Sequence, residues 1–215
     1  MPRSSKFSEE QILGAASRLV AAHGPAGATI GAIARAVGAP TGSIYHRFDS
    51  RDVLLGEVWL RAAAGFQTAF FERLAGPSPP EAGLAAALYM VQRVRKHPRE
   101  ARLLLLHRRE DFVDRGWPPA MRRRAGQLAS QVERELHAFS RRVSGREDSQ
   151  TVRLVTYAVL EAPFAAIRRH VAAGEHPPRY VDALIKVTYE AVMSLVAVSA
   201  PGATNRVRLT KGDRQ

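Results

Sequence analysis

The sequence contains no cysteine, and it has no apolar run long enough to cross a membrane. The absence of cysteine excludes disulfides, thiolate zinc sites and cysteine nucleophiles, and it is compatible with a reducing compartment. The N-terminal residues are polar and charged, so they do not resemble a signal peptide. The most apolar late segment, residues 192–200, is too short to span a bilayer. We therefore expect a cytoplasmic protein with no membrane contact.

Sequence patterns typical of helical enzymes and metal carriers are also missing. No Glu-x-x-His pair occurs, which removes the usual pattern of di-iron helical bundles. The patterns His-Glu-x-x-His, Gly-x-Ser-x-Gly and Gly-x-x-x-x-Gly-Lys do not occur either. The densest group of potential ligands, His107, Glu110 and Asp111, is better explained as a solvated helix end. The sequence therefore predicts no metal, no cofactor and no enzymatic activity, with a helical-bundle enzyme as the alternative.

The chain is strongly basic, but its charge is unevenly distributed. It carries 32 basic and 20 acidic side chains, a net charge of +12, and all but four of the basic residues are arginine. Basic side chains displace the counterions of DNA, so this excess favours a polyanionic partner. Residues 76–148 carry a net charge of +6 and residues 1–75 only +2. The charge alone therefore gives weak support for DNA binding by the N-terminal part.

Apolar residues recur at helical spacing through most of the chain, and no segment alternates with a period of two. This pattern predicts an all-α protein. The segment of residues 76–80 is rich in proline and predicts a break between a small and a large part. The predicted division is residues 1–50 for an N-terminal helical domain, 51–75 for a linking helix, 76–200 for a C-terminal helical domain and 201–215 for a disordered basic tail.

The first fifty residues carry boundary signals for three helices. Ser8 begins a predicted capping box at the start of the first helix, and the pair Gly24-Pro25 predicts its end. The second helix ends at Gly38, and the third spans about residues 41–47. Because a three-residue turn containing glycine joins these two short helices, the segment fits the description of a helix-turn-helix.

The stretch from residue 29 to residue 48, TIGAIARAVGAPTGSIYHRF, closely resembles the signature of the TetR family of bacterial regulators. The resemblance covers about residues 8–60, because residues 50–55 look like the start of that family's linking helix. Two positions depart from the pattern: Pro40 replaces the usual capping serine or threonine, and Arg47 stands where an aromatic residue is common. The matching features are Thr29, the pair Ile33-Ala34, Gly38, the run Gly42-Ser43-Ile44-Tyr45 and Phe48.

This resemblance implies a homeodomain-like helix-turn-helix of three helices, followed by a C-terminal ligand-binding and dimerisation domain. It also implies a sequence-specific transcriptional regulator, most often a repressor, that binds a palindromic DNA operator as a homodimer and responds to a small-molecule effector. The half-sites of such dimers lie about 34 Å apart. Two alternatives stay open: an activator of the same fold, and a nonspecific nucleic-acid binder that uses residues 122–124 and the basic tail.

Nine residues of the helix-turn-helix region are candidate DNA contacts. Hydroxyl groups on and before the third helix can reach phosphates, and Arg35 and Arg51 can anchor phosphates. His46 and Arg47 can contact phosphates or base edges, while a plain surface position explains His46 equally well. Gly42 permits close approach to the DNA backbone, or it eases helix packing. The candidates are Thr29, Arg35, Thr41, Gly42, Ser43, Tyr45, His46, Arg47 and Arg51; the predicted core beneath them is Ile33, Val37, Ile44 and Phe48.

The C-terminal domain offers candidates for effector binding and for dimerisation. By resemblance, its last two helices pair with their copies, and the alternative is that their apolar stripes form intramolecular core. Pro163 is expected to kink the first of these helices. The stripes comprise Val152, Val155, Val159, Ala166 and Ile167 in one helix, and Val181, Leu184, Ile185, Thr188, Val192, Leu195 and Val196 in the other. Candidate effector contacts, each of which can also be plain core, are Phe66, Phe70, Tyr89, His107, Phe112, Trp117, Tyr157 and Phe164.

Overall fold

The computed structural model describes residues 7–112, 116–146 and 148–198. Every regular element in these ranges is helical, which confirms the prediction of an all-α protein. Within the same ranges, no helix is long and apolar enough to cross a membrane. The N-terminal helices are α1 (Glu9–Gly27), α2 (Ile30–Val37), α3 (Thr41–Tyr45) and α4 (Arg51–Leu74).

The helices after α4 form the larger part of the fold. A short 3₁₀ turn, Arg109–Phe112, follows α6, and a π-helical turn, Tyr157–Glu161, joins α8 to α9. The helices are α5 (Pro79–Lys96), α6 (Pro98–Leu106), α7 (Pro119–Ser144), α8 (Ser149–Thr156), α9 (Ala162–Ala173) and α10 (Tyr180–Val198).

The first helix begins with the predicted capping box. The Ser8 hydroxyl accepts a hydrogen bond from the backbone N–H of Gln11 at 3.1 Å, and the Gln11 side chain accepts one from the Ser8 N–H at 2.8 Å. Two N–H groups that the helix leaves unpaired are satisfied in this way. The helix breaks at Gly24, whose φ is +71°, although helical turns continue to Gly27.

The turn between α2 and α3 is set by local hydrogen bonds. The Thr29 hydroxyl caps α2 by accepting from the Ala32 N–H at 3.1 Å. Gly38 ends the helix in the left-handed conformation, with φ +74°. The following N–H, that of Ala39, donates to the Ala34 carbonyl at 3.0 Å. This pairing closes the C-terminus of α2 and directs the chain into α3.

Two hydrophobic cores meet along α4. The first core packs α1 to α3 against the N-terminal half of α4, and it includes side chains from beyond residue 100, among them Leu103, Phe112 and Trp117. The second core lies between the C-terminal half of α4 and helices α5 to α10. The small N-terminal part therefore shares its core with residues of the larger part, which follow the predicted break at residues 76–80.

The helix that contains Pro163 accommodates the proline with a π turn. In this turn the N–H of Ala162 bonds to the carbonyl of Tyr157, five residues earlier. Proline has no N–H, and its ring crowds the carbonyl four residues before it. The wider turn keeps the helix continuous into α9 and presents Phe164, the residue after Pro163, to the larger core.

Two glycines in helices provide a matched test of packing. A Cβ at Gly83 would lie 2.8 Å from the Phe139 ring and also against the buried Tyr189 hydroxyl, whereas a Cβ at Gly126 meets nothing within 4 Å. We expect Gly83→Ala to lower the free energy of unfolding by about 1–3 kcal/mol through overpacking. Gly126→Ala should raise it by about 0.5–1 kcal/mol, because alanine favours a helix. Urea unfolding measures both; an unchanged stability for Gly83→Ala would contradict the close packing.

Candidate nucleic-acid interface and ligand cleft

Helix α3 presents one polar face to solvent and one apolar residue to the core. Ile44 is fully buried, while Thr41, Gly42, Tyr45 and His46 are exposed. The Tyr45 side chain is 54% exposed, so it is a surface residue and not part of the core. The predicted core residues Ile33, Ile44 and Phe48 are buried, and Val37 packs against them half-buried.

Gly42 has open space where a side chain would stand. A Cβ built on this residue meets no other atom within 4 Å. The alternative that this glycine eases helix packing therefore has no support in the structure. An open position in the exposed face of α3 permits close approach by another molecule.

The remaining candidates of α2 and α3 differ in their exposure. Arg35 is exposed at the end of α2, and Thr29 is exposed while its hydroxyl caps the helix. Ser43 is half-buried. The Arg47 guanidinium donates to the Ser43 carbonyl at 2.8 Å and lies half-buried along α3. The face built by these residues is continuous with the exposed side of α3.

Arg51, predicted as a phosphate anchor, bonds backbone carbonyls of the chain itself, and its contact with DNA stays a prediction. Its Nε donates to the Ala28 carbonyl at 3.2 Å, and one terminal nitrogen donates to the Pro25 carbonyl. Its other terminal nitrogen lies 3.9 Å from the Asp52 carboxylate. The guanidinium therefore ties the start of α4 to the link between α1 and α2, and we assign it to positioning the helix-turn-helix.

An ion-pair network that the sequence analysis missed joins α1, α4 and α7. Arg61 pairs with Glu9, Glu10 and Glu57, and Arg124 pairs with Glu57 at 2.6 Å. Burial alone would raise the pKa of the Glu57 carboxyl, but hydrogen bonds from Arg124 and Arg61 outweigh it and lower that pKa. Glu57 is thus held ionised between two cations. The spacing of Glu57 and Arg61, four residues apart on a helix, was the one signal in the sequence.

Four of the candidate effector contacts form one aromatic cluster. The Phe66 ring lies 5.8 Å from Phe70, 5.8 Å from Tyr89 and 6.2 Å from Phe164, measured between ring centroids. Phe66 and Phe164 line a narrow cleft of about 30 Å³ between α4, α5, α6 and α9. The other apolar lining residues are Met90, Val94, Ala101, Leu104, Leu105 and Ile167.

The other four candidates lie elsewhere. Phe112 and Trp117 are buried in the core of the N-terminal helices, and His107 contacts Phe112 edge-on. Burial lowers the pKa of His107, Asp111 opposes this shift and Arg102 adds to it. Tyr157 is 44% exposed on the surface. The structure therefore does not bring these four side chains to the cleft, because the segments that carry them pack against other neighbours or face solvent.

A basic groove borders the cleft at Glu100. Glu100 lines both cavities and pairs with Arg93 at 2.5 Å at the cleft wall. The groove, of about 490 Å³, runs between α1 and the turn from α5 to α6. Its charged and ionisable residues besides Glu100 are Arg18, Lys96, His97 and Arg99, which the sequence analysis did not select.

The apolar stripes predicted for dimerisation are largely buried within the chain. Val155, Val159 and Ile167 belong to the larger core, together with Val181, Ile185 and Val196 of α10. The intramolecular alternative is therefore correct for these six residues. The apolar residues that α10 exposes are Tyr180, Leu184, Val187 and Leu195, which lie 53%, 49%, 63% and 55% exposed.

Comparisons with known proteins agree with this architecture. Residues 12–58 match the family described as bacterial regulatory proteins, tetR family. A comparison with curated proteins found no match. Among solved structures, the fatty acid degradation regulator FadR from Bacillus halodurans superposes with a TM-score of 0.66 at 15% identity, covering 86% of this chain and 94% of that one.

Two further solved structures have the same fold. FadR from Bacillus subtilis, in complex with stearoyl-CoA, has a TM-score of 0.66 at 16% identity and covers 87% of this chain and 98% of that one. A TetR-like regulator from Rhodococcus sp. RHA1 has a TM-score of 0.62 at 20% identity, with coverages of 92% and 97%.

The fold and the match together define a helix-turn-helix protein with a helical C-terminal domain. Residues 12–58 match the tetR family of bacterial regulatory proteins, and the described helices have the fold of solved structures described as TetR-like transcriptional regulators. The resemblance found in the sequence is thereby confirmed.

Proposed function

We propose that this protein is a ligand-responsive transcriptional repressor that binds a palindromic operator as a homodimer. The observation that carries the proposal is the exposed face of α3, with open space at Gly42, inside a segment that matches the TetR family. A helix with a polar, unobstructed face is the element that a helix-turn-helix inserts into the major groove.

The exposed side chains of this face suit both kinds of DNA contact. The hydroxyls of Thr41 and Tyr45 can bond phosphate oxygens, and Arg35 can anchor a phosphate. His46, at the end of α3, is the residue that we propose to read base edges. Arg51 ties the start of α4 to the link between α1 and α2, while Arg47 lies along α3 and bonds the Ser43 carbonyl of the same helix, so its side chain is at hand for DNA.

Gly42→Asp tests the DNA interface. Residue 42 lies in the first turn of α3, where an acidic side chain suits the helix dipole, so the variant should fold. Its carboxylate would face phosphates, and we expect operator affinity to fall on the order of 100-fold. The control is Gly126→Asp, which adds the same charge at an open position of α7.

The operator for this measurement comes from selection of bound duplexes from a random library at near-physiological salt. Enrichment of an inverted repeat supports a sequence-specific dimer. No enriched motif, with binding that fades as salt rises, would instead indicate a nonspecific binder. Wild-type affinity in Gly42→Asp would remove α3 from the interface. A promoter–reporter assay then distinguishes repression, the commoner mode of the family, from activation.

The exposed apolar residues of α10 support the homodimer. Leu184 and Val187 are three residues apart, and Tyr180 lies four residues before Leu184, so these side chains share one helix face. Leu195 continues the same face two turns after Val187. Large apolar side chains exposed together mark an interaction surface. In a homodimer, this face would pair with its copy around a two-fold axis.

Val187→Arg tests the dimer face. Val187 is the most exposed of these residues, so the substitution leaves the chain's own core intact. We expect the dimer dissociation constant to rise on the order of 100-fold, because two arginines would meet at the axis. Light scattering should then give the 23.6 kDa mass of one chain. Ala138→Arg, on the exposed side of α7, is the control and should leave the mass at twice that value. An unchanged dimer in Val187→Arg would exclude this face.

For the effector, we propose an amphiphile with an apolar tail and a phosphate-bearing head. The cleft offers apolar side chains to the tail, and the groove beyond Glu100 offers Arg18, Lys96 and Arg99 to the head. Among the described residues, none forms an ion pair with these three cations. The complex of the Bacillus subtilis neighbour with stearoyl-CoA supports the same class of molecule.

Calorimetry with stearoyl-coenzyme A, stearate and coenzyme A tests the effector class. We expect stearoyl-coenzyme A to bind about tenfold more tightly than stearate, because only its head reaches the groove. The double variant Arg18→Ala/Arg99→Ala should remove most of that difference, whereas Arg123→Ala, on the exposed surface of α7, should not. Equal affinities for stearoyl-coenzyme A and stearate would contradict the role of the groove.

A further inference from the structure

Arg102 joins a helix of the DNA-binding part to a helix of the larger part. Its Nε donates to the Ala21 carbonyl of α1 at 2.8 Å. Its Nη1 donates to the Val171 carbonyl of α9 at 3.2 Å. The guanidinium is partly buried, and the two carbonyls come from elements 150 residues apart in the sequence. One side chain on α6 therefore holds α1 and α9 at a fixed separation.

The Ala21 carbonyl needs an outside partner because of the sequence that follows it. In a continuous helix this carbonyl would accept the N–H of residue 25, but residue 25 is proline and has no N–H. The helix also breaks at Gly24. A carbonyl left without a partner inside the protein is costly, and the Arg102 fork provides the missing donor.

The Val171 carbonyl lies at a second helix end. It accepts the N–H of Gly174, which caps α9, and Arg102 supplies a second donor. The C-terminal ends of helices carry a partial negative charge, so a cation between two such ends is stabilised by both. Arg102 is thus bound from both sides by charge as well as by hydrogen bonds.

The two helices that Arg102 links on the larger side are walls of the ligand cleft. Helix α6 contributes Ala101, which precedes Arg102, and Leu104, two residues after it, and α9 contributes Phe164 and Ile167. A guanidinium fork has a fixed span. If an occupant of the cleft moves α6 away from α9, the fork cannot keep both carbonyls within hydrogen-bond distance.

We propose that Arg102 is the positioning residue that couples the width of the cleft to the position of α1 against α6. With the cleft closed, both bonds are made and α1 is held against α6. When the cleft widens, a bond is lost and the C-terminal half of α1 is released, with α2 and α3 that pack on it. This inference rests on the proposed function, because it takes the cleft as the effector site. It supplies the differential contact that any coupling between two sites requires.

Hydrogen exchange of the α1 amides tests this coupling in the full-length protein without DNA or effector. Phe164→Trp enlarges a half-buried residue in the wall of the cleft, so the larger side chain takes the place of a bound ligand. We expect it to speed exchange in the C-terminal half of α1 about fivefold or more. Arg102→Gln should speed the same amides by itself, and Phe164→Trp should then add less than about twofold, because the link is already broken.

Arg142→Gln is the matched control. Arg142 also donates to two carbonyls, those of Leu74 and Gly76, but both lie outside α1 and the cleft. Its loss should leave α1 exchange and the response to Phe164→Trp unchanged. Arg102→Lys keeps the charge without the fork and should behave as Arg102→Gln. Exchange of the α5 amides reports whether each variant keeps its global fold.

Three results would overturn the inference. One is α1 exchange in Arg102→Gln equal to that of the unmodified protein. The second is a response to Phe164→Trp that is absent in the unmodified protein or persists in Arg102→Gln. The third is α1 exchange in Arg102→Lys equal to that of the unmodified protein, because this would show that a positive charge suffices without the two-donor guanidinium. Failure to bind any operator would contradict the proposed function but not this coupling, because exchange of α1 is measured without DNA.

Discussion

Helix α4 belongs to both hydrophobic cores, and the arrangement of the remaining helices depends on this double burial. Leu54, Leu55 and Leu60 in its N-terminal half are nearly or fully buried among α1 to α3 and the side chains that follow α6. Phe70 and Leu74 in its C-terminal half are buried among α5 to α10. Each such side chain contributes about 1.5–3 kcal/mol on burial. Because one rigid helix spans both cores, a displacement at one end is felt at the other.

Polar contacts then set how the N-terminal helices sit on this framework. Arg51 fixes the link between α1 and α2, the Glu57 network connects α1, α4 and α7, and Arg102 holds the end of α1. Arg51, Glu57 and Arg102 each form contacts between different helices. Arg51 and Arg102 bond backbone carbonyls, and exposed ion pairs such as that of Arg61 with Glu9 contribute little to stability. These contacts therefore orient helices that the apolar cores have already brought together.

The sequence predicted what depends on neighbouring residues. The capping box at Ser8 and the end of α2 at Gly38 involve atoms three to five residues apart, so local patterns suffice. Arg102 and Ala21 are 81 residues apart, and Arg124 and Glu57 are 67 apart, so no local pattern links them. The same holds for the apolar cleft. Residue type selected eight candidates there, but only the packing of α4 and α9 brings Phe66 and Phe164 to the same wall.

The dimer stripe illustrates a further limit of sequence patterns. Helix α10 is apolar on more than one side, so periodicity alone does not tell which face meets the chain's own core. Ile185 and Val196 lie inward, whereas Val187 and Leu195 lie outward. The choice is made by α5, α8 and α9, which cover the inward face. A pattern of this kind predicts that a helix has a partner, but not which partner.

The shared N-terminal core has a consequence for how such proteins diversify. Leu103, Phe112 and Trp117 complete a core whose other walls are α1 to α4. An N-terminal part cut after α4 would expose the apolar surface that these side chains cover. Recombination that exchanges N-terminal parts between proteins of this fold must therefore carry the complementary residues of the larger part with it, or it breaks the cooperative unit. Point substitutions on the exposed face of α3, by contrast, leave this shared core untouched.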